Sequence, residues 1–464
     1  MKRPYWFLLS FSAVLYALPF LFTAKLWWLI FFFPIPLLYV VRTENLSFVH
    51  GYVWGVIAFA LHFSGIVCVV AAMAGKAWWV GCLLGLILVL YQALSVGLLF
   101  LCATKIVQYG KIRSVIIRLL VWTGALLVFI VWTDWYSLWI FGIKEGYPLM
   151  HPLLPLAVHP QLLALLPIVG KIVMLMLLLL CPMSFVVLLW EKNGTACVVW
   201  LLSCLPWIIC WFCVIPEMHK PLWLKAIKTI PYMAHSTGDN PLCMMKIAAR
   251  ELRTVITHYP AATIIIMPES AFNCTVLSQS PELLRLWGEE YLGKAVHIIF
   301  GSFRWHADNY YNALHWVYNG KLKQCFDKKH AMLISERLGW LNWFSAVQAT
   351  YFDGAPLTTI ATNERILLCL SDEFSCVPYI CSELFFNEYP DDIYGDVPII
   401  ALVNDTPFLR WYASYIRQIL LLMARLKAIQ WQRDIVYVSY TRSLYINTHG
   451  MSAEINEFTP TSLH

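Results

Sequence analysis

The chain has 464 residues, 60% of them hydrophobic and 13% charged, with a formal net charge of +6 and a mean hydropathy of +0.66. Soluble domains carry about 25% charged residues, so this composition excludes a chain that lives wholly in water. Its positive residues form no stripe of the kind that grips nucleic acid, while 22 Trp and 23 Tyr suit the two faces of a bilayer.

Apolar runs fall at 5–22, 26–41, 52–73, 78–103, 116–135, 172–190 and 196–215. About 20 apolar residues cross a bilayer as a helix, so the pattern predicts about seven spans within a transmembrane domain, 1–215. The first run follows Lys2 and Arg3 but has no small-residue cleavage site after it, and reads as a retained helix rather than a removed signal. Lys2, Arg3, Arg42, Lys105, Lys111, Arg113, Arg118 and Lys192 fall on one side, against Lys25, Lys76, Lys144 and Lys171 on the other. The richer side is expected to be cytoplasmic. That puts everything after 216 outside, which in a bacterium means a multi-pass protein of the inner membrane with a periplasmic second domain.

Two features interrupt this half. Asp134, near the outer end of the fifth run, has no obvious partner in sequence and reads as an interfacial, hydrated acid. The proline-rich loop 143–171, with Glu145, His151 and His159, reads as a surface or re-entrant segment. It is either part of a lipid-facing entry or a plain connector. Eight of the 14 Cys lie in apolar stretches, and none of the other six forms a C-x-x-C pair, so no metal site is expected.

After Pro216 charge returns and apolar runs shorten to strand length. The spacing predicts helices over 241–258, 281–293 and 409–433. Strands are expected at 263–267, 297–303, 312–318, 323–327, 365–371, 378–381, 398–403 and 435–440. The expected fold is therefore a polytopic helical bundle followed by a layered α/β domain, 216–464.

Within that domain, three β-branched residues run into Met267, Pro268 and Glu269. Pro268 cannot donate to a strand ladder, so Glu269 should lie just off the end of a buried strand, where α/β folds build their sites. A carboxylate backed by apolar chain is suited to act as a base; the plain alternative is a helix cap. Lys328 follows a short strand ending at Asp327, and Cys381 ends an apolar strand before Ser382 and Glu383. A cysteine at a strand-to-helix turn is expected to have its pKa lowered by helix amides; the plain alternative is a buried structural thiol. Together the three residues suffice for acyl transfer. Glu269 would take the thiol proton, Cys381 would form a thioester, and Lys328 would stabilise the oxyanion. Glu336, eight residues after Lys328, and Glu383 are supporting candidates. Trp340, Trp343 and Phe344 are candidate lipid contacts, as is the Phe385–Phe386 pair, although core packing explains that pair equally well. A disulfide between Cys369 and Cys376 is open if the domain is periplasmic.

These residues resemble a known family. PES with Glu269, FDKKH with Lys328, PYICSE with Cys381 and the intervening Glu336 are similar to the Glu–Lys–Cys motifs of the nitrilase (carbon–nitrogen hydrolase) superfamily. VNDTPF and the MARLKAIQWQR helix resemble that superfamily's segment after the cysteine. A membrane bundle ahead of such a domain, with HGYVWG at 50–55, resembles the apolipoprotein N-acyltransferases. The resemblance implies an αββα sandwich, no cofactor, a membrane phospholipid as acyl donor, and the N-terminal amine of a lipoprotein as acceptor. Two departures stand out: Ser382 replaces the family's usual Tyr, and no apolar helix follows the second domain. Conjugal-transfer TraB-type proteins share the second departure. They imply the alternative of an amidase or of a scaffold in a transfer apparatus.

Overall fold

The computed structural model describes residues 4–42, 44–73, 78–135, 148–192, 194–213, 216–231, 241–272, 281–306, 309–330, 367–371, 374–386 and 395–455. The chain forms two compact units, one of Met1–Ile215 with Phe408–Gln430, the other of Pro216–Pro407 with Trp431–His464.

The first unit is helical because in lipid every backbone N–H and C=O must find its partner within the segment. Its main helices are α1 (Pro4–Leu21), α2 (Pro34–Val41), α3 (Phe48–Met73), α4 (Trp78–Tyr109), α5 (Val115–Trp135), α6 (Leu166–Glu191) and α7 (Gly194–Phe212). Among the described residues, six stretches are long and apolar enough to cross a membrane: Thr23–Val41, Phe48–Gly65, Gly85–Tyr109, Val115–Trp135, Leu166–Trp190 and Gly194–Phe212. A shorter apolar helix, Tyr5–Leu21, precedes them. The protein is a multi-pass membrane protein. Small residues let α3 and α4 approach closely: a Cβ on Gly55 would lie 2.7 Å from the Cα of Ala93.

Asp134 is not the hydrated acid expected from sequence. It is buried, and Lys171, near the start of α6, places its Nζ 2.5 Å from Oδ2. A helix end 37 residues away supplies the partner that local sequence does not show. The described part of the proline-rich loop, from 148 onward, is also largely interior. Its 3-10 turns at Pro148–Met150, Pro155–Val158 and Pro160–Leu163 bury His151, Leu153, Leu154 and Leu156 within the helical unit, which fits a packed connector and not an exposed entry surface. Glu145 lies outside the described residues.

The second unit holds two sheets. The first has the order β1 (Ile227–Thr229), β2 (Ile264–Ile266), β3 (His297–His306), β4 (Asn309–Tyr318) and β5 (Lys321–Asp327). Strands β1, β2 and β3 run parallel, and β4 and β5 return antiparallel. The second has the order β11 (Ser452–Glu454), β10 (Ser443–Ile446), β9 (Ile435–Val438), β8 (Ile399–Leu402), β7 (Phe374–Ile380) and β6 (Leu368–Ser371). Its centre, β7–β8–β9, is parallel. Helix α8 (Pro241–His258) covers the first sheet, burying Met244, Ala248 and Leu252 against Ile265, Ile298 and Phe300. Helix α9 (Ser414–Trp431) leaves β8 and packs largely with the helical unit, where the Tyr415 hydroxyl donates to the His62 carbonyl.

Cys369 and Cys376 are free thiols. Cys369 pairs across the hairpin with Ser375 and Cys376 with Leu368, so the two sulfurs leave opposite faces of the sheet and cannot bridge.

Lys171→Met would remove the ammonium paired with the buried Asp134 carboxylate, at an expected cost of about 3 kcal/mol. Adding Asp134→Asn should recover most of that loss in thermal unfolding of the detergent-solubilised protein. Equal losses in the single and double variants would mean that the pair carries no such coupling.

Candidate active site

Three strand ends converge inside the second unit. Strand β2 is buried at every residue, and Pro268 ends its ladder. Glu269 follows and is 4% exposed. Its Oε1 accepts hydrogen bonds from Asn312 Nδ2 and Lys328 Nζ, both at 2.9 Å. Its Oε2 accepts the Asn404 backbone N–H at 3.1 Å. The Glu269 carbonyl in turn accepts the Tyr440 hydroxyl at 2.9 Å. Gly301 on β3 makes this possible, because a Cβ there would lie 2.6 Å from the Glu269 Cα.

Lys328 leaves β5 and is 2% exposed; its backbone N–H donates to the Asn312 carbonyl at 2.8 Å. Cys381 follows β7 and opens the 3-10 helix Cys381–Phe385. Its φ of +45° lies in the left-handed region that a non-glycine residue seldom enters, a geometry common where a site imposes it. The thiol is buried, within reach of the charges of Glu269 and Lys328. Glu269, Lys328 and Cys381 are thus brought together.

The acidity of Cys381 differs from the sequence expectation. Burial first, and then the charge of Glu269, push its pKa well above the usual thiol range. Lys328 and the Asn404 N–H act in the opposite direction and do not prevail. A five-residue 3-10 helix offers too little dipole to offset full desolvation. Cys381 rests as a thiol beside a carboxylate placed to receive its proton.

Glu383 supports the turn. Its Oε2 accepts the Ile380 N–H at 2.7 Å and its Oε1 the Lys329 N–H at 2.8 Å, which ties the exit of β5 to the end of β7. Ser382 donates to the His330 carbonyl at 2.8 Å, and Phe386 packs on the His330 ring. Glu336, Trp340, Trp343 and Phe344 lie outside the described residues.

The sequence marks the polar turn 401–408 as a stretch that could join Glu269 but does not single out its Asn404 and Asp405, and it assigns no site role to Asn312 or Tyr440. Asp405 is buried and accepts from Ser439 Oγ at 2.9 Å, the Tyr440 N–H at 3.1 Å and the Thr441 hydroxyl. It thereby holds the β9–β10 turn that carries Tyr440. The available signals were the VNDTPF turn and a polar Asn inside the apolar run of β4. Among the described residues, no group of three or more His, Cys, Asp or Glu is placed to hold a metal ion.

No family model and no curated protein matches the chain. Among solved structures it is similar to a carbon–nitrogen hydrolase from Helicobacter pylori, at 11% identity over 50% of this chain and 86% of that one, TM-score 0.37. It is also similar to a Saccharomyces cerevisiae member of the nitrilase superfamily, at 15% identity over 49% and 85%, TM-score 0.34. A glutamine-dependent NAD+ synthetase from Acinetobacter baumannii matches at 14% identity and TM-score 0.33, over 48% of this chain and only 42% of that longer one.

Because the Glu269 charge raises the Cys381 pKa, Glu269→Gln should lower it, and Lys328→Met should raise it further. Peptide-level alkylation rates of Cys381 against pH would then shift to lower pH in the first variant and to higher pH in the second. Identical profiles in all three proteins would show that the charges do not act on the thiol.

Proposed function

We propose that this chain is a membrane-bound member of the carbon–nitrogen hydrolase superfamily that transfers a fatty acyl group from a phospholipid, through a Cys381 thioester, to an amine. The observation that carries this reading is the buried Glu269 carboxylate, which bonds the Lys328 ammonium and whose charge acts on the buried Cys381 thiol. The membrane-spanning helices favour a lipid as the acyl donor over a soluble amide.

Glu269 takes the thiol proton as the sulfur attacks the ester carbonyl of the lipid. Lys328 Nζ stabilises the oxyanion of the tetrahedral intermediate. The carbon–oxygen bond then breaks, and the leaving alkoxide recovers the proton from Glu269. In the second half an amine, proposed to be the N-terminus of a lipoprotein, attacks the thioester. Glu269 takes the amine's proton and returns it to the departing sulfur. Glu383 and the Asp405 network hold the turns on which these groups sit. Glu336 is proposed to assist near the acceptor, and Trp340, Trp343 and Phe344 to meet the acyl chain. The domain would face the periplasm of a bacterial inner membrane. The runner-up, a TraB-type amidase, differs in taking water as acceptor.

Intact-mass spectrometry of the full chain after incubation with phospholipid tests this directly. The expected result is a fatty-acyl increment that hydroxylamine removes and Cys381→Ala abolishes. Glu269→Gln should lower turnover by about 10²–10⁴-fold while the protein remains folded. Acylation that survives in Cys381→Ala would rule out this nucleophile. A thioester that forms but passes only to water would select the amidase.

A further inference from the structure

A second site lies at the membrane face where spans join through short turns. Residues 42–47, 110–114 and 192–193 link successive spans, so the end of α2, the start of α5 and the end of α6 share that face. Arg42 caps α2. Its guanidinium carbon lies 4.2 Å from the ring centroid of Tyr39 and 4.2 Å from that of Trp190, near the end of α6. Two ring faces hold the guanidinium plane in place. Arg118, in the first turn of α5, donates from Nη1 to the Arg42 carbonyl at 3.2 Å, so a second guanidinium is anchored on the Arg42 backbone.

Among the described residues this pair of charges is not neutralised by an acid. Neither arginine forms an ion pair with a described carboxylate; the described ion pairs are Asp134–Lys171, Arg304–Asp327 and Lys328–Glu269. Glu44, two residues beyond Arg42, is bonded by the Tyr5 hydroxyl at 2.9 Å. Arg42 Nε is buried without an acceptor. Two arginines set at one face by three helix ends and two rings, with no described carboxylate paired to either, form a receptor for an anion. The flanking rings indicate which source. Tyr39 and Trp190 are 41% and 47% exposed at the helix ends, the depth at which aromatic side chains meet lipid headgroups. Lys105, Lys111, Arg113 and Lys192 add positive field on the same face.

We propose that Arg42 and Arg118, framed by Tyr39 and Trp190, bind the phosphate of an anionic phospholipid headgroup in the leaflet on that face. The planar fork of Arg42 suits two phosphate oxygens, and Arg118 supplies the second charge. This site is independent of the acyl-transfer reading.

The test uses the full chain purified in detergent, with lipid binding followed by native mass spectrometry and by thermal stabilisation. Phosphatidylglycerol should bind roughly tenfold or more tighter than phosphatidylcholine. Arg42→Gln and Arg118→Gln should each weaken phosphatidylglycerol by about fivefold and leave phosphatidylcholine unchanged. Arg42→Lys, which keeps the charge but not the fork, should fall between. The Lys111→Gln/Arg113→Gln variant, on the same face but outside the pair, should keep the preference for phosphatidylglycerol. Should Arg42→Gln not fold, Arg118→Gln and Arg42→Lys carry the comparison. Equal binding of the two lipids, or an unchanged preference in Arg118→Gln and Arg42→Lys, would overturn the proposal. Matched stabilisation by inorganic phosphate alone would assign the pair to free phosphate and overturn its assignment to lipid.

Discussion

The bond from Lys328 Nζ to Glu269 Oε1, 2.9 Å long with both side chains at most 5% exposed, is the contact on which the site depends. Removing two charges from water costs several kcal/mol each, and Coulomb attraction offsets this only when the remaining hydrogen-bonding capacity is also satisfied. The structure meets that condition by drawing on separate parts of the chain. Asn312 comes from β4, Lys328 from the exit of β5, Asn404 from the exit of β8. Tyr440, beyond β9, fixes the backbone of the same glutamate. One carboxylate thereby ties the first sheet to the second. The parallel cores of both sheets, which bring strand ends to a common edge, make that convergence possible.

Strand parity decides which groups join the site. Cys325 lies three residues before Lys328 and has a base beside it, His315 Nδ1, 3.1 Å from its sulfur. By chemistry alone it competes with Cys381. Yet Cys325 pairs with His315 and Asp327 with Ala313, and these residues share a face with Phe300, the face that α8 covers. Phe326 and Lys328 fall on the opposite face, toward Glu269. Burial raises the Cys325 pKa to about 11 and lowers that of His315 to about 3, so the two meet as neutral groups rather than as a thiolate–imidazolium pair. A shift of one residue in β5 would exchange their roles.

Much of this frame is legible in the sequence because its signals are local. Pro268 marks the end of β2, and short apolar runs mark β3, β4, β5, β7, β8 and β9. Apolar length marks the membrane helices. What is not legible is pairing between distant positions. Asp134 finds Lys171, and Asp405 finds Ser439 and Tyr440, through the fold alone. Strands β1 and β11, three residues each, exist because a neighbour supplies their ladder, not because their own composition demands it. The acidity of Cys381 escapes for a related reason. A strand-to-helix turn can be read from sequence, but the depth of burial that outweighs its dipole cannot.

That same burial bears on how the proposed chemistry starts. The resting site pairs the Glu269 carboxylate with the Lys328 ammonium and holds Cys381 as a thiol. Moving the proton from sulfur to Glu269 creates a thiolate and removes a carboxylate, both beside the same ammonium. The net charge of the three groups is unchanged, so the interior need not accommodate an additional ion. A lone buried thiolate would bear the full desolvation penalty. A thiolate that replaces a carboxylate already paired there bears only the difference between the two anions in their interaction with Lys328 and the Asn404 N–H. The raised pKa of Cys381 is therefore compatible with a nucleophile: it describes a site in which sulfur becomes charged only as Glu269 becomes neutral.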